Sequence, residues 1–357
     1  MISETKAVDW WVLTDALPHT CLALLDALIP AQPRKIKVYI DHDTPCGYVP
    51  SAEVQRALIR FSEKWGCDLK NGEGIACQDM LDAYVKEGQM IVCFSDFPTV
   101  YGAANAMAVS VSPEDWFQSA KLGQIRVPKL AEFGIQLNLT AGNVKNLALG
   151  ILSKHGASLR GKRVVFFGAA VGQLADHQKR TLATMMSLGQ AKAVSFRSKF
   201  DGADTASASP VDREMVVGPA GIQTTSVNKE TISVHEVFIG GCTGGFLEDL
   251  REAAEILRGK KIAHKLRLMV APVTSQVFCQ AADEGLLDIF MDAGAIVMNQ
   301  GCSVCWGSSQ GIIDKEEVLL TTGPRRILHC YEEEVGTVYT CSVAVAAESA
   351  ISGTFEP

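Results

Sequence analysis

Short apolar runs rich in β-branched and aromatic residues alternate along this chain with longer stretches whose apolar positions recur every three to four residues. KIKVYI (35–40) reads as a strand feeding the polar turn DHDTPCG, and residues 51–65 carry helical spacing behind Ser51 as a candidate N-cap. MIVCFS (90–95) predicts another strand, followed by the small-residue segment YGAANAMAV. From Thr140 onward, NVKNLALGILSKHG predicts a capped helix and GKRVVFFG a strand ending in glycine. Residues 198–234 turn polar and small without periodic order, which predicts an interdomain connection. Beyond it EVFIG is a strand, EDLREAAEILRG an amphipathic helix, LRLMVAP a strand, SQVFCQAADEGLLDIFMDAG a helix and AIVMN a strand. Such alternation predicts α/β layers, divided here as 1–139, 140–232 and 233–357. No fixed-period repeat and no low-complexity tract interrupts them.

Composition narrows the function. The chain has 357 residues, 47% of them apolar, enough for more than one core. Basic residues number 33 against 40 acidic, for a net charge of −7, and no stretch supplies the local Lys and Arg excess that phosphate binding needs. Nucleic acid is therefore not an expected partner. No apolar run reaches the roughly 18 residues of a membrane span. MISETKAVDWW lacks the basic flank and apolar core of a secretory signal, so a cytoplasmic location is expected. The 11 cysteines should then be mostly reduced thiols, available as metal ligands.

Placement separates three cysteines from the rest. Cys242 follows the strand EVFIG in the turn GGCTGG, and Cys302 and Cys305 follow AIVMN in the turn QGCSVCWG. Both turns lie at carboxyl ends of strands, where α/β sheets build their sites, and their glycines leave backbone N–H groups open to a negatively charged group. A closed zinc or iron–sulfur site takes four protein ligands. Three thiolates leave one metal corner open.

These residues carry a resemblance. GGCTGGFLEDLREAAEILRGKKI is similar to the segment that bears the first cluster cysteine, within S-C-T-N, in aconitase and in the large subunit of isopropylmalate dehydratase. QGCSVCWG resembles their G-C-G-P-C-x-G. TTGPRRILHC and EVGTVYTCSVAVAAESAISG resemble the family's closing motifs; YIDHDTP, NGEGIACQ and LTAGNVKNLALGIL resemble its D-H-x-x-P, G-I-x-H and T-A-K-D segments. The chain is identified as a divergent member. The resemblance implies a three-domain α/β/α body without the swivel domain and a [4Fe-4S] cluster on Cys242, Cys302 and Cys305. It also implies hydro-lyase chemistry on a small hydroxy acid, with the open iron as Lewis acid. A separate small swivel-type subunit would supply the proton-abstracting serine.

Departures from the family pattern redraw the substrate side. FSDFPT is aligned with G-D-S-H-T, putting Ser95 and Phe97 where an acid and an imidazole are expected. Cys77 replaces a histidine, Gly142 and Asn143 replace Lys and Asp, and Cys330 replaces an arginine, while Asp41, His42 and Arg325 are retained. The resemblance thus implies His42, Asp41 and Ser95 as catalytic residues, and Arg325, Cys77, Thr243 and Cys330 as substrate contacts. Fewer cations imply a less anionic hydroxy acid. The competing reading is an iron–sulfur protein of the same fold with other chemistry or a regulatory role. VVFFGAAVG lacks G-x-G-x-x-G and reads as a packing turn, the remaining histidines lack metal-ligand spacing, Met185 and Met186 read as core, and Glu332 to Glu334 as a solvated loop.

Overall fold

Trp10–Thr14, Ile36–Ile40 and Met90–Cys93 are short, almost wholly apolar runs, and their burial on both faces makes them interior strands of a parallel sheet. The computed structural model describes residues 3–94, 97–138, 143–208, 231–307, 310–324, 328–330 and 333–355, the backbone alone at 328–330 and 333–335. In the first sheet the strands lie in the order Asp68–Asn71, Ile36–Ile40, Trp10–Thr14, Met90–Cys93, Met107–Ser110, all parallel. Ranked by chain position, that order is 3-2-1-4-5.

The same order recurs. The second sheet runs Ala193–Arg197, Arg163–Phe167, Glu132–Leu137, Thr205–Ala208, which is 3-2-1-4. The third runs Ile296–Val297, Arg267–Val270, Glu236–Ile239, Val318–Thr321, Thr337–Thr340, again 3-2-1-4-5. In each sheet the first strand and the fourth sit side by side, and their connections leave in opposite directions. A crevice opens between their carboxyl ends, and ligands of open α/β sheets bind at such a switch point. Aliphatic cores pack around each sheet, for example Leu147, Leu152, Val164 and Phe166 on the second and Val237, Leu250, Leu257 and Phe290 on the third.

Several local expectations are corrected. The helix expected at 51–65 spans Val49–Trp65; Pro50 occupies its first turn, a place where a missing N–H costs nothing, so Ser51 is inside the helix and buried rather than its cap. The single helix expected over 275–294 is two, Ser275–Asp283 and Leu286–Ala293, separated at Gly285 with φ +70°. Within the expected connection, Thr205–Ala208 is an edge strand of the second sheet, recruited by pairing although its sequence is small and polar. Residues Glu333–Val335 form a strand paired antiparallel with Leu328–Cys330, so Glu333 and Glu334 lie in a strand rather than a loop. Met185 and Met186, by contrast, are buried in the core of the second sheet as expected. Among the described residues, no helix is long and apolar enough to cross a membrane.

Candidate active site

The turn after Ile36–Ile40 is organised by a carboxylate from a neighbouring strand. Asp15, just past Trp10–Thr14, accepts the backbone N–H groups of Asp41 at 3.1 Å, His42 at 2.9 Å and Asp43 at 3.1 Å, and the Gln55 amide at 3.2 Å. Burial alone would raise its pKa, but these donors and the His42 ring hold it below the usual carboxylate range. His42 Nδ1 lies 2.7 Å from Asp41 Oδ1 and 3.4 Å from Asp15 Oδ1. Burial opposes the imidazolium, yet the two carboxylates outweigh it and raise the ring to about 10. The bond to Asp41 assigns the proton on Nδ1 and leaves Nε2 as the outward atom. Trp306 closes one side of the ring in an edge contact at 4.7 Å.

The cysteine turns dock on this histidine turn. Cys302 N–H donates to the Asp41 carbonyl at 2.8 Å, and Asn299 Nδ2 donates to the Thr44 carbonyl at 2.6 Å. Gly301 makes the approach possible: its φ is +146°, and a Cβ there would sit 2.8 Å from the Asp41 oxygen. Cys302 to Cys305 close a tight turn through a 2.9 Å backbone bond. On the other side, Gln78 Nε2 donates to the Cys242 carbonyl at 3.2 Å, tying the Gly240–Gly245 turn to the helix Ala76–Ala83. One atom each from Asp41, His42 and Cys302 lie within 4.8 Å of one another.

A cavity of about 370 Å³ opens where the switch points of the first and third sheets meet. Cys77, Cys242, Cys302, Cys305, Asp41 and His42 line it, and its other wall is largely apolar, including Phe94, Phe97, Tyr101, Val111 and Pro113. The Cys77 thiol hydrogen-bonds to Cys242, and that contact and burial push it up. No two cysteines are joined among the described residues. The donor set suits a soft metal group: three thiols from two adjacent turns, with a cavity in front of them to receive it.

The structure therefore brings together Asp41, His42, Cys77, Cys242, Cys302 and Cys305. It does not bring Thr243 into this cavity. The Thr243 hydroxyl donates to the Thr322 carbonyl at 2.8 Å and lines a smaller cavity behind the turn, because Thr322 and Lys145 capture it there. Ser95 and Arg325, and the side chain of Cys330, lie outside the described residues. Sequence reasoning missed Asp15, Trp306 and Lys145. Only Asp15 left a trace, as a lone acid directly after an apolar strand run.

Comparison with known proteins decides the family. The family model described as Aconitase family (aconitate hydratase) matches residues 193–353. The 3-isopropylmalate dehydratase large subunit 2 of Archaeoglobus fulgidus is 30% identical over 88% of this chain and 83% of its own. The corresponding large subunit of Elusimicrobium minutum is 30% identical over 90% and 85%. The chain belongs to the aconitase family. This aconitase-family chain is also similar, at 27% identity over 90% of its length and 86% of the other, to the methanogen homoaconitase large subunit of Methanocaldococcus jannaschii. The holo-form of Thermococcus kodakaraensis aconitase X shares the fold, with a TM-score of 0.59 at 13% identity over 90% of this chain and 84% of that one. The aconitase family consists of hydro-lyases whose members typically carry an iron–sulfur cluster, and the thiol-lined cavity fits that chemistry.

Proposed function

We propose that this chain is the large, cluster-bearing subunit of a hydro-lyase acting on a hydroxy acid with few carboxylates and an apolar body. The observation that carries the reading is the meeting, in one cavity, of four thiols, three of them on the turns after strands, with the His42–Asp41 pair and an otherwise largely apolar wall. Cys242, Cys302 and Cys305 would hold a [4Fe-4S] group. When bound, that group supplies a Lewis-acidic iron.

The chain's own residues supply the proton chemistry and the fit. With Nδ1–H committed to Asp41, His42 presents Nε2–H as the donor to a departing hydroxyl, and its raised pKa keeps it charged at neutral pH. Phe94, Phe97, Tyr101, Val111 and Pro113 favour a hydrocarbon substituent and exclude water from around it. Among the described lining residues the only cationic group is His42, which suits one carboxylate better than three. Arg325 is the proposed second anchor, Cys330 a proposed contact and Ser95 a proposed catalytic residue; the 'large subunit' names of the relatives suggest a small partner subunit, to which the base that removes the carbon-bound proton is assigned.

The test is anaerobic reconstitution with iron and sulfide, together with any small-subunit protein that co-purifies, followed by dehydration assays on hydroxy acids graded by carboxylate number and side-chain bulk. Turnover should be highest with a bulky monocarboxylate. A preference for tricarboxylates would defeat the substrate reading.

A specific observation favours a second reading. Cys77 hydrogen-bonds to Cys242 and brings a fourth thiol to the cavity that Cys242, Cys302 and Cys305 line. Coordination by Cys77 would give a closed cluster with a non-hydro-lyase or regulatory role.

A further inference from the structure

Behind the cysteine turns lies a lysine in an environment hostile to positive charge. Lys145 is in the first turn of the helix Val144–Leu159, at the positive end of the helix dipole, and is only 5% exposed. Burial lowers its pKa and raises that of the nearby Asp249. The ammonium is satisfied by neutral oxygens of two turns: it donates to the Thr243 carbonyl at 3.0 Å, to Thr243 Oγ1 at 2.7 Å, and to the Thr322 carbonyl.

Those oxygens fix where the charge sits. Thr243 is the residue after Cys242. Thr322 precedes Gly323, where a Cβ would lie 3.4 Å from Cys305 Sγ. Lys145, Thr243 and Thr322 line the smaller cavity of about 150 Å³, whereas Cys242 and Cys305 line the larger one. Among the described residues, Lys145 is thus the buried cation behind the turns that carry Cys242 and approach Cys305, on the far side of those turns from the larger cavity.

We propose that Lys145 is the buried counter-charge of the cysteine turns, pinning the Cys242 turn to the end of Val318–Thr321 and stabilising the reduced state of an iron–sulfur group held there. The proposal rests on the cluster reading above. Three thiolates and their metal group place negative charge where little water can solvate it, and each added electron increases that charge. A fixed ammonium offsets it without reorganisation. The other charged or titratable groups around the smaller cavity are Asp249, Glu248 and Glu252 on the helix Leu247–Leu257 and His177 on Asp176–Met185, with His177 3.8 Å from Glu248. Asp249 accepts the Phe246 N–H at 3.0 Å and is the carboxylate whose charge opposes that of Lys145.

These two residues give shifts of opposite sign, which a purely structural role would not. Wild-type, Lys145→Gln, Lys145→Arg and Asp249→Asn proteins are reconstituted anaerobically, matched for iron and sulfide, and titrated with redox dyes at pH 7.5 under EPR detection. Lys145→Gln should disfavour the reduced state about tenfold, ~59 mV for one electron. Lys145→Arg should stay near wild type, and Asp249→Asn should move the potential upward. Equal potentials in wild type, Lys145→Gln and Asp249→Asn overturn the counter-charge while leaving the cluster reading intact. If Lys145→Gln does not fold, the pH profile decides: the wild-type potential should fall as pH rises through about 8 while that of Lys145→Arg stays flat, and identical profiles overturn the proposal. Wild-type protein that takes up no iron and sulfide overturns both.

Discussion

Asp15 accepts the backbone N–H of His42 at 2.9 Å and also stands 3.4 Å from its ring, so one carboxylate fixes both the backbone and the charge of that residue. The turn from Asp41 to Asp43 directs three N–H groups at Asp15 and has little other means of satisfying them.

Asp15→Ala should therefore destabilise the chain by about 3–5 kcal/mol in urea unfolding, since stranded buried donors cost about 1–3 kcal/mol each and adjust only in part. Asp15→Asn keeps an acceptor and should lose less. An unfolding midpoint for Asp15→Ala equal to wild type would show that the turn holds itself.

Replacing His42 should cost both chemistry and stability. His42→Gln should lower kcat by roughly 10²–10⁴-fold, the usual range for a lost general acid, and should also lower the unfolding midpoint at neutral pH, because it removes the cationic partner of the buried Asp15 and Asp41 carboxylates. The pH dependence has a definite sign. The ring is raised to about 10 from an ordinary value of 6.5, so its contribution to stability is complete below about 6.5 and is lost as pH rises through about 10. Asp41→Asn should bring that loss down toward neutrality. A ring that titrates near 6.5 by NMR in the wild-type protein would contradict the geometry.

The thiols can be ranked by metal content. Cys242→Ser, Cys302→Ser and Cys305→Ser should each abolish the brown thiolate-to-iron absorption and the bound sulfide. Cys77→Ser should keep both. If hydroxy acids perturb the iron signals only after Cys77→Ser, then Cys77 is a ligand in the native protein and the open-iron reading falls.

Far from the site, Glu236 is a fully buried carboxyl at the start of the first strand of the third sheet, 2.9 Å from Arg267. Burial raises it to about 7, against an opposing pull from Arg267. A carboxyl raised from an ordinary 4.5 contributes its stability below about 4.5 and loses it as pH rises through about 7. Wild-type stability should thus fall by about 2 kcal/mol from this group between pH 5 and pH 8, and Glu236→Gln should flatten the slope. Identical slopes in the two proteins would place the Glu236 pKa near its ordinary value.

Motif chemistry was legible in the sequence because it is local. Cys302 and Cys305 share one turn and Cys242 follows a clear strand run, so placement singled out the three thiols, while the adjacent Asp41 and His42 came from the family resemblance. Lys145 could not be found that way. Within NVKNLALGIL it looks like an ordinary helix lysine, and its burial comes from two threonine turns nearly a hundred residues or more away in the chain. Thr243 was misread for the same reason, its partners being unseen. Thr205–Ala208 became a strand through pairing rather than propensity, and the shared 3-2-1-4 order is a property of topology that leaves no sequence repeat.

The bond from Cys302 N–H to the Asp41 carbonyl determines how the protein would fail. Because the thiol turn and the histidine turn share that backbone link, neither can drift alone. Damage that swings the cysteines outward also pulls away the residue that orients the imidazole. Ageing preparations should accordingly contain intact and dead molecules with few intermediate forms, and the fraction still holding metal would be a direct count of those able to work.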